Sequence, residues 1–302
     1  MELSRTQFTL LTFLEQNDSK RNINRKEIAK STHLSIETID DTINFLEASN
    51  LIENMKPNNA GKKALEPYLV KRAVFIAAGF GSRMVPVTFD TPKPLVKVKG
   101  VRIIDTLLDA VIAAGIEEII IVRGHLSVQF DELKQKYPTI KFLENTIFNE
   151  SNNISSAMCA RFLLKNAYIL ESDLLLKNPS LICKYQYASN YLGVPVDYTD
   201  DWCFETKNGI ITKVKVGGRA CHHMFGISYW NETDGAKLAN HIKQVIEMPG
   251  GKERYWDQVP LEYFIEDYFI EVRECSFDDL IEIDTFNELT SLDKDYLTKY
   301  TN

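Results

Sequence analysis

The chain has 302 residues, and its 35 Lys and Arg against 42 Asp and Glu leave a formal net charge of −7. This length is typical of roughly two domains, and a composition of 44% apolar and 25% charged residues excludes a disordered or collagen-like chain. The acidic balance argues against non-specific nucleic-acid binding, which requires a surplus of Lys and Arg.

The beginning of the chain shows no sign of export. The segment MELSRTQFTLLTFLEQ lacks a basic stretch, an apolar block and a small-residue cleavage site, and no apolar run approaches the ~20 residues that span a bilayer. The five cysteines are odd in number, widely spaced and form no CxxC pair, which favours reduced thiols. We therefore expect a cytoplasmic protein that has no membrane partner.

Residues 1–70 have the pattern of three short helices followed by a hairpin. Leu10, Leu11 and Leu14 recur at helical spacing, and Ser35 is placed to cap a third helix that has one apolar face. The segment INRKEIAKSTHLSIETIDDTINFLEASNLIE resembles the helix-turn-helix of bacterial winged-helix regulators. The resemblance implies a winged-helix domain at residues 1–70.

The charges of this first segment do not favour DNA as its partner. Residues 1–70 contain nine Lys and Arg against ten Asp and Glu. Glu37, Asp40 and Asp41 lie near the start of the predicted recognition helix, where they would repel phosphates. DNA binding stays open, but a protein contact or a homodimer interface is the favoured interpretation.

The pattern changes near Leu69–Arg72, and we place the second domain at residues 71–302. Short apolar strands alternate with helices there, from a first strand at Ala73–Ala77 to another at Ala167–Leu170, before an antiparallel region at 191–230. This alternation predicts an α/β domain with a mixed, mainly parallel sheet that has helices on both faces.

A glycine-rich loop follows the first strand of the second domain. Gly79 and Gly81 let backbone N–H groups approach a phosphate, and Arg83 and Lys93 add fixed positive charge suited to a triphosphate. The glycines alone are also typical of a simple tight turn. A dinucleotide-binding loop would need a further glycine and an acidic residue about 20 residues on, whereas this loop continues with Arg and then Pro-Lys-Pro.

The run A-A-G-x-G-S-R, followed by P-K-P-L, resembles the signature of nucleotidyltransferases that join a nucleoside triphosphate to a phosphorylated small molecule. The resemblance spans about residues 72–290 and implies a Rossmann-like nucleotidyltransferase fold. It implies that nucleotide contacts come from the loop residues Ala78, Gly79, Gly81, Ser82 and Arg83. It also implies that Lys93 neutralises charge at the α-phosphate, within a catalytic set of Lys93, Arg83 and Asp173.

Four later segments resemble the bacterial choline-phosphate cytidylyltransferases more than the enzymes that make sugar nucleotides. They are Asn152–Ser156, Glu171–Asp173, Tyr255–Asp257 and Glu282–Asp284. The resemblance implies that Asn153 and Ser155 bind the nucleotide beside its pyrimidine base. One segment departs from the family, because Arg123-Gly124-His125 stands where relatives commonly carry Gly-Tyr, and the role of that loop stays open.

Acidic residues at two predicted strand ends are candidates for a metal site. Asp173 follows an apolar strand, where ligands bind in parallel sheets, and a carboxylate there suits Mg²⁺. Glu282 and Asp284 alternate on an extended stretch and so share a face. We predict Mg²⁺ as the cofactor, with Asp173 and Asp284 as its ligands. The structural alternative is helix capping, by Asp173 itself or by Asp284 or Thr285.

Aromatic residues beside acids are candidates for the acceptor site. Trp202, Tyr255 and Trp256 could surround a quaternary ammonium through cation–π contacts, while Asp257 and Glu282 add negative charge. Each ring taken alone is equally typical of a hydrophobic core.

Together with the resemblance, these residues predict that CTP and phosphocholine react to give CDP-choline and pyrophosphate. Three alternatives stay open. The acceptor could be a sugar 1-phosphate, it could be phosphoethanolamine or 2-aminoethylphosphonate, or the chain could be a winged-helix regulator whose second domain only senses a nucleotide. Aromatic rings favour a methylated ammonium, whereas a primary amine would prefer carboxylates that accept its hydrogen bonds.

Overall fold

A computed structural model describes residues 2–18 and 23–300, and the chain divides into two units. Unit one comprises Met1–Leu69 with Tyr185–Tyr187, and unit two comprises Val70–Lys184 with Ala188–Asn302. The division falls one residue before the predicted boundary. Residues 185–187 belong to unit one although they follow more than a hundred residues of unit two, and nothing in the sequence predicts this. They pack there because the Tyr187 ring stacks on Tyr68, with 5.6 Å between ring centroids.

The described part of unit one consists of helices and a short hairpin, in the predicted order. Its elements are α1 (Arg5–Gln16), α2 (Arg25–Thr32), α3 (Ile36–Ala48), β1 (Ile52–Glu53), β2 (Lys56–Pro57) and α4 (Asn59–Leu65). The side-chain oxygens of Ser4, Asn24 and Ser35 cap the first three helices. The element order agrees with a winged helix, but the class and the partner of this unit stay predictions.

Unit two contains the remaining elements. Its strands are β3 (Arg72–Ala77), β4 (Lys97–Val98), β5 (Val101–Arg102), β6 (Glu118–Arg123), β7 (Lys141–Glu144), β8 (Ala167–Glu171), β9 (Leu174–Leu176), β10 (Asn190–Lys207), β11 (Ile210–Trp230), β12 (Glu271–Glu274) and β13 (Leu280–Glu282). Its α-helices are α5 (Ile103–Ala113), α6 (Ile154–Ala160), α7 (Glu232–Glu247), α8 (Phe286–Leu292) and α9 (Asp295–Tyr300).

A seven-stranded sheet in the order β10-β12-β11-β8-β3-β6-β7 forms the centre of unit two. Strands β8, β3, β6 and β7 run parallel to one another, and β11 pairs antiparallel with β8. The predicted α/β fold with a mixed, mainly parallel sheet is confirmed. Because β3 and β8 run in the same direction, the loops that follow them meet at one edge of the sheet, which is where ligands bind in such folds.

Apolar residues cover both faces of this sheet, which explains the continuous apolar run of its first strand. Successive side chains of a strand point to opposite faces. In β3, Ala73 and Phe75 pack into one hydrophobic core, and Val74 and Ile76 pack into another. The strand is therefore buried from both sides, as is usual in parallel sheets.

Two local predictions differ from the structure. Within the antiparallel region, the sequence predicts turns at Thr206–Gly209 and at Gly217-Gly218. The second position lies inside β11, where the positive φ of Gly217, 73°, produces an irregularity in the strand and the chain does not reverse. The chain reverses between β10 and β11 at Asn208-Gly209, within the other predicted turn. The sequence also predicts a helix at 130–137, and the structure has a 3₁₀ segment there, Ser127–Gln135.

All five cysteines are free thiols in the structure, and Cys203 and Cys221 are buried. Within the described ranges, no helix combines the length and the apolar character needed to cross a bilayer.

Candidate active site

The glycine-rich loop lies where β3 ends and borders a cavity of about 490 Å³. Gly81 has a φ of 66°, and a Cβ atom there would lie 3.0 Å from the Thr88 methyl and 3.1 Å from the Lys93 Cβ. The position therefore requires glycine for both its backbone conformation and its space. A Cβ at Gly79 would meet no atom within 4 Å, so this residue leaves the backbone open towards the cavity.

Four charged residues from three parts of the chain meet in this cavity. The Lys93 Nζ lies 2.8 Å from Asp173 Oδ2 and 2.7 Å from Asp284 Oδ1. The Arg83 Nη2 lies 2.9 Å from the same Asp284 oxygen. Burial by itself would lower the pKa of Lys93, but the two carboxylates raise it above its usual value. Lys93 therefore stays a cation throughout the ordinary pH range.

The capping alternatives do not account for the two aspartates. Thr285 caps α8 by accepting from the Glu288 N–H, so Asp284 is free to pair with Lys93 and Arg83. Asp173 follows β8, and its carboxylate pairs with Lys93. Both side chains therefore take part in the charge centre of the cavity.

A further acidic group adjoins this centre. Carboxylate oxygens of Glu171, Asp173 and Glu282 lie within 4.8 Å of one another. Burial, together with the charges of neighbouring acids, raises the pKa of both Glu171 and Glu282 well above the usual value. The Oδ1 atom of Asp173 is buried and has no hydrogen-bond partner among the described residues. Mg²⁺ is usually bound by one or two protein carboxylates together with phosphate oxygens, so Asp173 fits the predicted ion. The second predicted ligand, Asp284, lies outside this group of three, and its Oδ1 pairs with the two cations of the cavity.

The Asn153 side chain makes two hydrogen bonds within the protein. Its Nδ2 donates to Glu171 Oε1 at 3.2 Å, and its Oδ1 accepts from the backbone N–H of Trp256 at 2.8 Å. Asn153 borders the cavity, but both ends of its amide are engaged within the protein. Ser155 is buried against Asn145 and does not border the cavity. Asn153 therefore lies at the cavity, whereas Ser155 lies behind it.

The three candidate aromatic residues separate into two groups. Trp202 and Tyr255 border the cavity, and their rings contact edge to face with 5.8 Å between centroids. Trp256 is fully buried and stacks on Tyr191, with 6.1 Å between centroids. The prediction that Trp256 contributes to an acceptor site is corrected, because the residue lies in the core and two rings form the aromatic wall.

Replacing Trp256 with alanine is therefore expected to act on stability. The loss of a fully buried indole should lower the free energy of unfolding by about 3–5 kcal/mol, measured by chemical denaturation. Trp202→Ala is the matched control, because the Trp202 ring is half-buried and its loss should cost much less. Wild-type stability in Trp256→Ala, combined with a raised KM for the acceptor, would return Trp256 to the acceptor site.

Asp257 follows the same segment and borders the cavity as predicted. Its Oδ1 accepts a hydrogen bond from the Tyr191 hydroxyl at 2.7 Å. Burial raises the pKa of Asp257 to about 7, although the Tyr191 hydrogen bond opposes the shift. Glu282 also borders the cavity, so both acids assigned to the acceptor side are present there.

The loop that departs from the family pattern supports the glycine-rich loop from behind. The His125 ring stacks on Phe80 with 4.1 Å between centroids, and its Nε2 lies 3.0 Å from the Thr88 carbonyl. The His125 N–H donates to the Ala78 carbonyl. His125 therefore contacts the glycine-rich loop through Ala78 and Phe80 and the segment that follows it through Thr88. Ala78, a predicted nucleotide contact, is buried and does not border the cavity.

Most of the predicted site residues border this one cavity. They are Gly79, Gly81, Ser82, Arg83, Lys93, Asn153, Asp173, Trp202, Tyr255, Asp257, Glu282 and Asp284. Two further acids also border it, Glu171 and Asp201. Asp201 stands beside Trp202 in the sequence, a pairing that favours a cation site, whereas no role was predicted for the Glu171 side chain. The sequence could have predicted Glu171 at the cavity, because this residue stands two positions before Asp173 at a strand end and so shares its face.

Comparison with known proteins places this site in a family. Residues 72–189 match the nucleotidyl transferase family model. A 2-aminoethylphosphonate cytidylyltransferase from Lancefieldella rimae is 33% identical over 229 residues, which cover 74% of this chain and 93% of that protein. A choline-phosphate cytidylyltransferase from Haemophilus influenzae is 27% identical over 219 residues, covering 72% of this chain and 93% of that protein.

A solved structure agrees with these relatives. The CTP:phosphocholine cytidylyltransferase from Streptococcus pneumoniae aligns with a TM-score of 0.69 at 27% identity, covering 76% of this chain and 99% of that chain. These matches cover nearly the whole length of known enzymes. The alternative that the chain is a regulator whose second domain only senses a nucleotide is therefore set aside. The chain therefore belongs to the nucleotidyl transferase family and, with these relatives, to the bacterial cytidylyltransferases within it.

Proposed function

We propose that the chain transfers the cytidylyl group of CTP to phosphocholine, giving CDP-choline and pyrophosphate. The observation that carries this proposal is one cavity that contains both a phosphate-binding loop with two cations and the aromatic pair Trp202–Tyr255. The names of two relatives, from Haemophilus influenzae and Streptococcus pneumoniae, support phosphocholine as the acceptor.

The proposed reaction is an in-line displacement at phosphorus. A phosphate oxygen of phosphocholine forms a bond to the α-phosphorus of CTP, and the bond to the oxygen that bridges to the β-phosphate breaks. Pyrophosphate leaves with that electron pair. Because the attacking oxygen is already anionic, the chain has to supply position and charge neutralisation more than a general base.

Lys93 is placed to stabilise the charge that develops on the α-phosphoryl oxygens. An ammonium has three N–H donors, and Asp173 and Asp284 accept two of them. The third is left for a phosphate oxygen. Arg83 and the backbone N–H groups of the glycine-rich loop would hold the departing pyrophosphate.

Asp173 and Asp284 are the residues that we propose as Mg²⁺ ligands. When bound there, Mg²⁺ would neutralise negative charge on the reacting phosphates. The cavity has six acidic residues against Arg83 and Lys93 as its cations, the acids being Glu171, Asp173, Asp201, Asp257, Glu282 and Asp284. A divalent cation that enters with the triphosphate would offset part of this negative charge.

A second acceptor class, the aminoalkyl phosphonates, is favoured by these carboxylates. With Trp256 in the core, the cavity has two rings, whereas a primary ammonium would find several oxygens to accept its hydrogen bonds. The relative from Lancefieldella rimae is named as a 2-aminoethylphosphonate cytidylyltransferase. The choice between the two acceptors therefore depends on a direct measurement.

Pyrophosphate release from CTP, measured with one acceptor at a time, tests the proposal. The acceptors are phosphocholine, phosphoethanolamine, 2-aminoethylphosphonate and glucose 1-phosphate. We expect the highest kcat/KM with phosphocholine. A higher value with 2-aminoethylphosphonate would move the assignment to that acceptor, and a higher value with glucose 1-phosphate would support a sugar-nucleotide enzyme instead.

Removal of one aromatic ring is expected to weaken the acceptor and spare CTP. A cation over an aromatic face gains up to about 2 kcal/mol, which corresponds to a roughly thirty-fold change in affinity. Trp202→Ala and Tyr255→Ala should therefore raise the KM for phosphocholine by up to that factor. Phe269→Ala, which removes an exposed ring outside the cavity, is the control. Unchanged KM values in both variants would place the ammonium elsewhere.

A further inference from the structure

The segment Lys252–Trp256 carries one ring of the aromatic wall, yet it belongs to no helix or strand. Its start is fixed against the end of α7, because a Cβ atom at Gly251 would lie 1.8 Å from the Val245 carbonyl oxygen and only glycine fits there. Its last residue, Trp256, has a fully buried side chain. Tyr255 lies between these two fixed points and is 44% exposed. The position of the Tyr255 ring therefore depends on what holds the backbone of this segment.

Two residues that precede α6 hold the first half of the segment. The Ser151 hydroxyl donates to the Lys252 carbonyl at 2.7 Å, and the Asn152 backbone N–H donates to the same oxygen at 2.7 Å. The Asn152 Nδ2 donates to the next carbonyl, that of Glu253, at 3.3 Å. The acceptors are main-chain oxygens, so these hydrogen bonds fix the path of the backbone whatever side chains it carries.

The neighbouring residue, Asn153, holds the second half of the segment. Its Oδ1 accepts from the backbone N–H of Trp256 at 2.8 Å. The Asn152 Oδ1 accepts from the Asn153 backbone N–H at 2.7 Å, so one asparagine orients the other. We call Ser151–Asn153 the clamp, because its three residues hold the backbone on both sides of Tyr255.

The members of the clamp differ in their access to the cavity. Asn152 and Asn153 border it together with Tyr255 and Trp202, whereas Ser151 does not. A substrate in the cavity can therefore contact the asparagines directly, but Ser151 can act on a substrate only through the segment that it holds. This difference makes Ser151 the residue that separates positioning from direct binding.

We propose that the clamp positions the acceptor site: it holds Tyr255 beside Trp202 and thereby sets the affinity for the acceptor head group, an inference that rests on the proposed function. A head group contacts both rings only while they stay side by side, as they do here with 5.8 Å between centroids. A segment without its clamp would sample several conformations. The apparent affinity for the acceptor then falls with the fraction of molecules that keep the two rings together.

The test measures kcat and KM for CTP and for the acceptor that wild type uses best. Asn153→Ala and the double variant Ser151→Ala/Asn152→Ala each remove side-chain hydrogen bonds of the clamp and leave both rings present. Loss of one such bond shifts an equilibrium by about two- to tenfold, so the KM for the acceptor should rise by about that factor in each variant. The KM for CTP, and kcat at saturating acceptor, should stay near the wild-type values.

The single variants at Ser151 exclude direct contact as the cause. Ser151→Ala should raise the KM for the acceptor, and Ser151→Thr, which retains the hydroxyl, should restore the wild-type KM. Asn240→Ala, at an exposed position outside the cavity, is the matched control for the asparagines and should behave as wild type. Equal KM values for the acceptor in wild type and in all variants of the clamp would overturn the inference.

Two further measurements distinguish positioning from a general loss of stability. Combined with Tyr255→Ala, Asn153→Ala should add little to the KM for the acceptor, because the ring that it positions is already absent. Hydrogen exchange of the amides in Lys252–Trp256, measured without substrates, should be faster in Asn153→Ala than in wild type. If Asn153→Ala does not fold, as judged by circular dichroism, Ser151→Ala takes its place in both measurements.

The outcomes separate this inference from the proposed function. Fully additive effects of Asn153→Ala and Tyr255→Ala, or a KM that rises for CTP and not for the acceptor, would overturn the inference. The second of these results would assign Asn153 to the nucleotide, as the family resemblance implies. If wild type transfers the cytidylyl group to none of the four acceptors, the proposed function fails and the inference fails with it. That result is visible before any variant is made.

Discussion

Replacing Lys93 with alanine is expected to lower kcat by about 10²–10³-fold, the usual cost of removing one group that stabilises transition-state charge. Lys93 contacts Asp173 and Asp284 at 2.8 and 2.7 Å, so its ammonium is held in place before the substrate arrives. Negative charge on the α-phosphoryl oxygens that Lys93 would face changes most in the transition state. The KM for CTP should therefore rise much less than kcat falls.

The steady-state constants kcat and KM, measured separately for CTP, check this result. Lys207→Ala, which removes an exposed lysine near the tip of the β10–β11 hairpin, is the matched control and should behave as wild type. Because the pKa of Lys93 is raised, the charge is present below that pKa, and no loss of rate from its deprotonation is expected near neutral pH. Turnover of Lys93→Ala within a few-fold of wild type would remove Lys93 from the proposed reaction.

Replacing Asp173 with asparagine is expected to raise the Mg²⁺ concentration needed for half-maximal rate. A neutral amide is a poorer ligand for a hard cation than a carboxylate. Changes to groups that only support metal ligands cost about 10–100-fold in metal affinity, so loss of a direct ligand should cost at least about tenfold. The structural basis of this expectation is the buried Oδ1 atom of Asp173, for which the described part of the chain offers no hydrogen-bond partner.

A Mg²⁺ titration of the initial rate at saturating CTP measures this effect. Asp278→Asn changes an exposed aspartate outside the cavity in the same way and should leave the titration unchanged. Asp173→Asn also removes one partner of Lys93, so a lower rate alone does not identify a metal ligand. An unchanged Mg²⁺ midpoint in a slow enzyme would mean that Asp173 only anchors Lys93.

The alternation of strands and helices and the continuous glycine-rich loop were sufficient to predict the fold and the family. Both signals are local, because strand periodicity and loop chemistry depend on residues that are close in the chain. Local reasoning was less successful with Tyr255 and Trp256. The two rings are adjacent in sequence, yet Tyr255 borders the cavity and Trp256 stacks in the core on Tyr191.

The sequence by itself determined the chemical classes that are present: a phosphate loop, two cations, acids at strand ends and aromatic residues beside acids. Only the tertiary structure decided which of them meet. Lys93 contacts aspartates that are 80 and 191 residues further along the chain, and Glu171 joins the cavity because Gly226 of an adjacent strand leaves room for it. These contacts depend on strand order and on the packing of side chains across the sheet, and neither property is encoded in the spacing of residues along one segment.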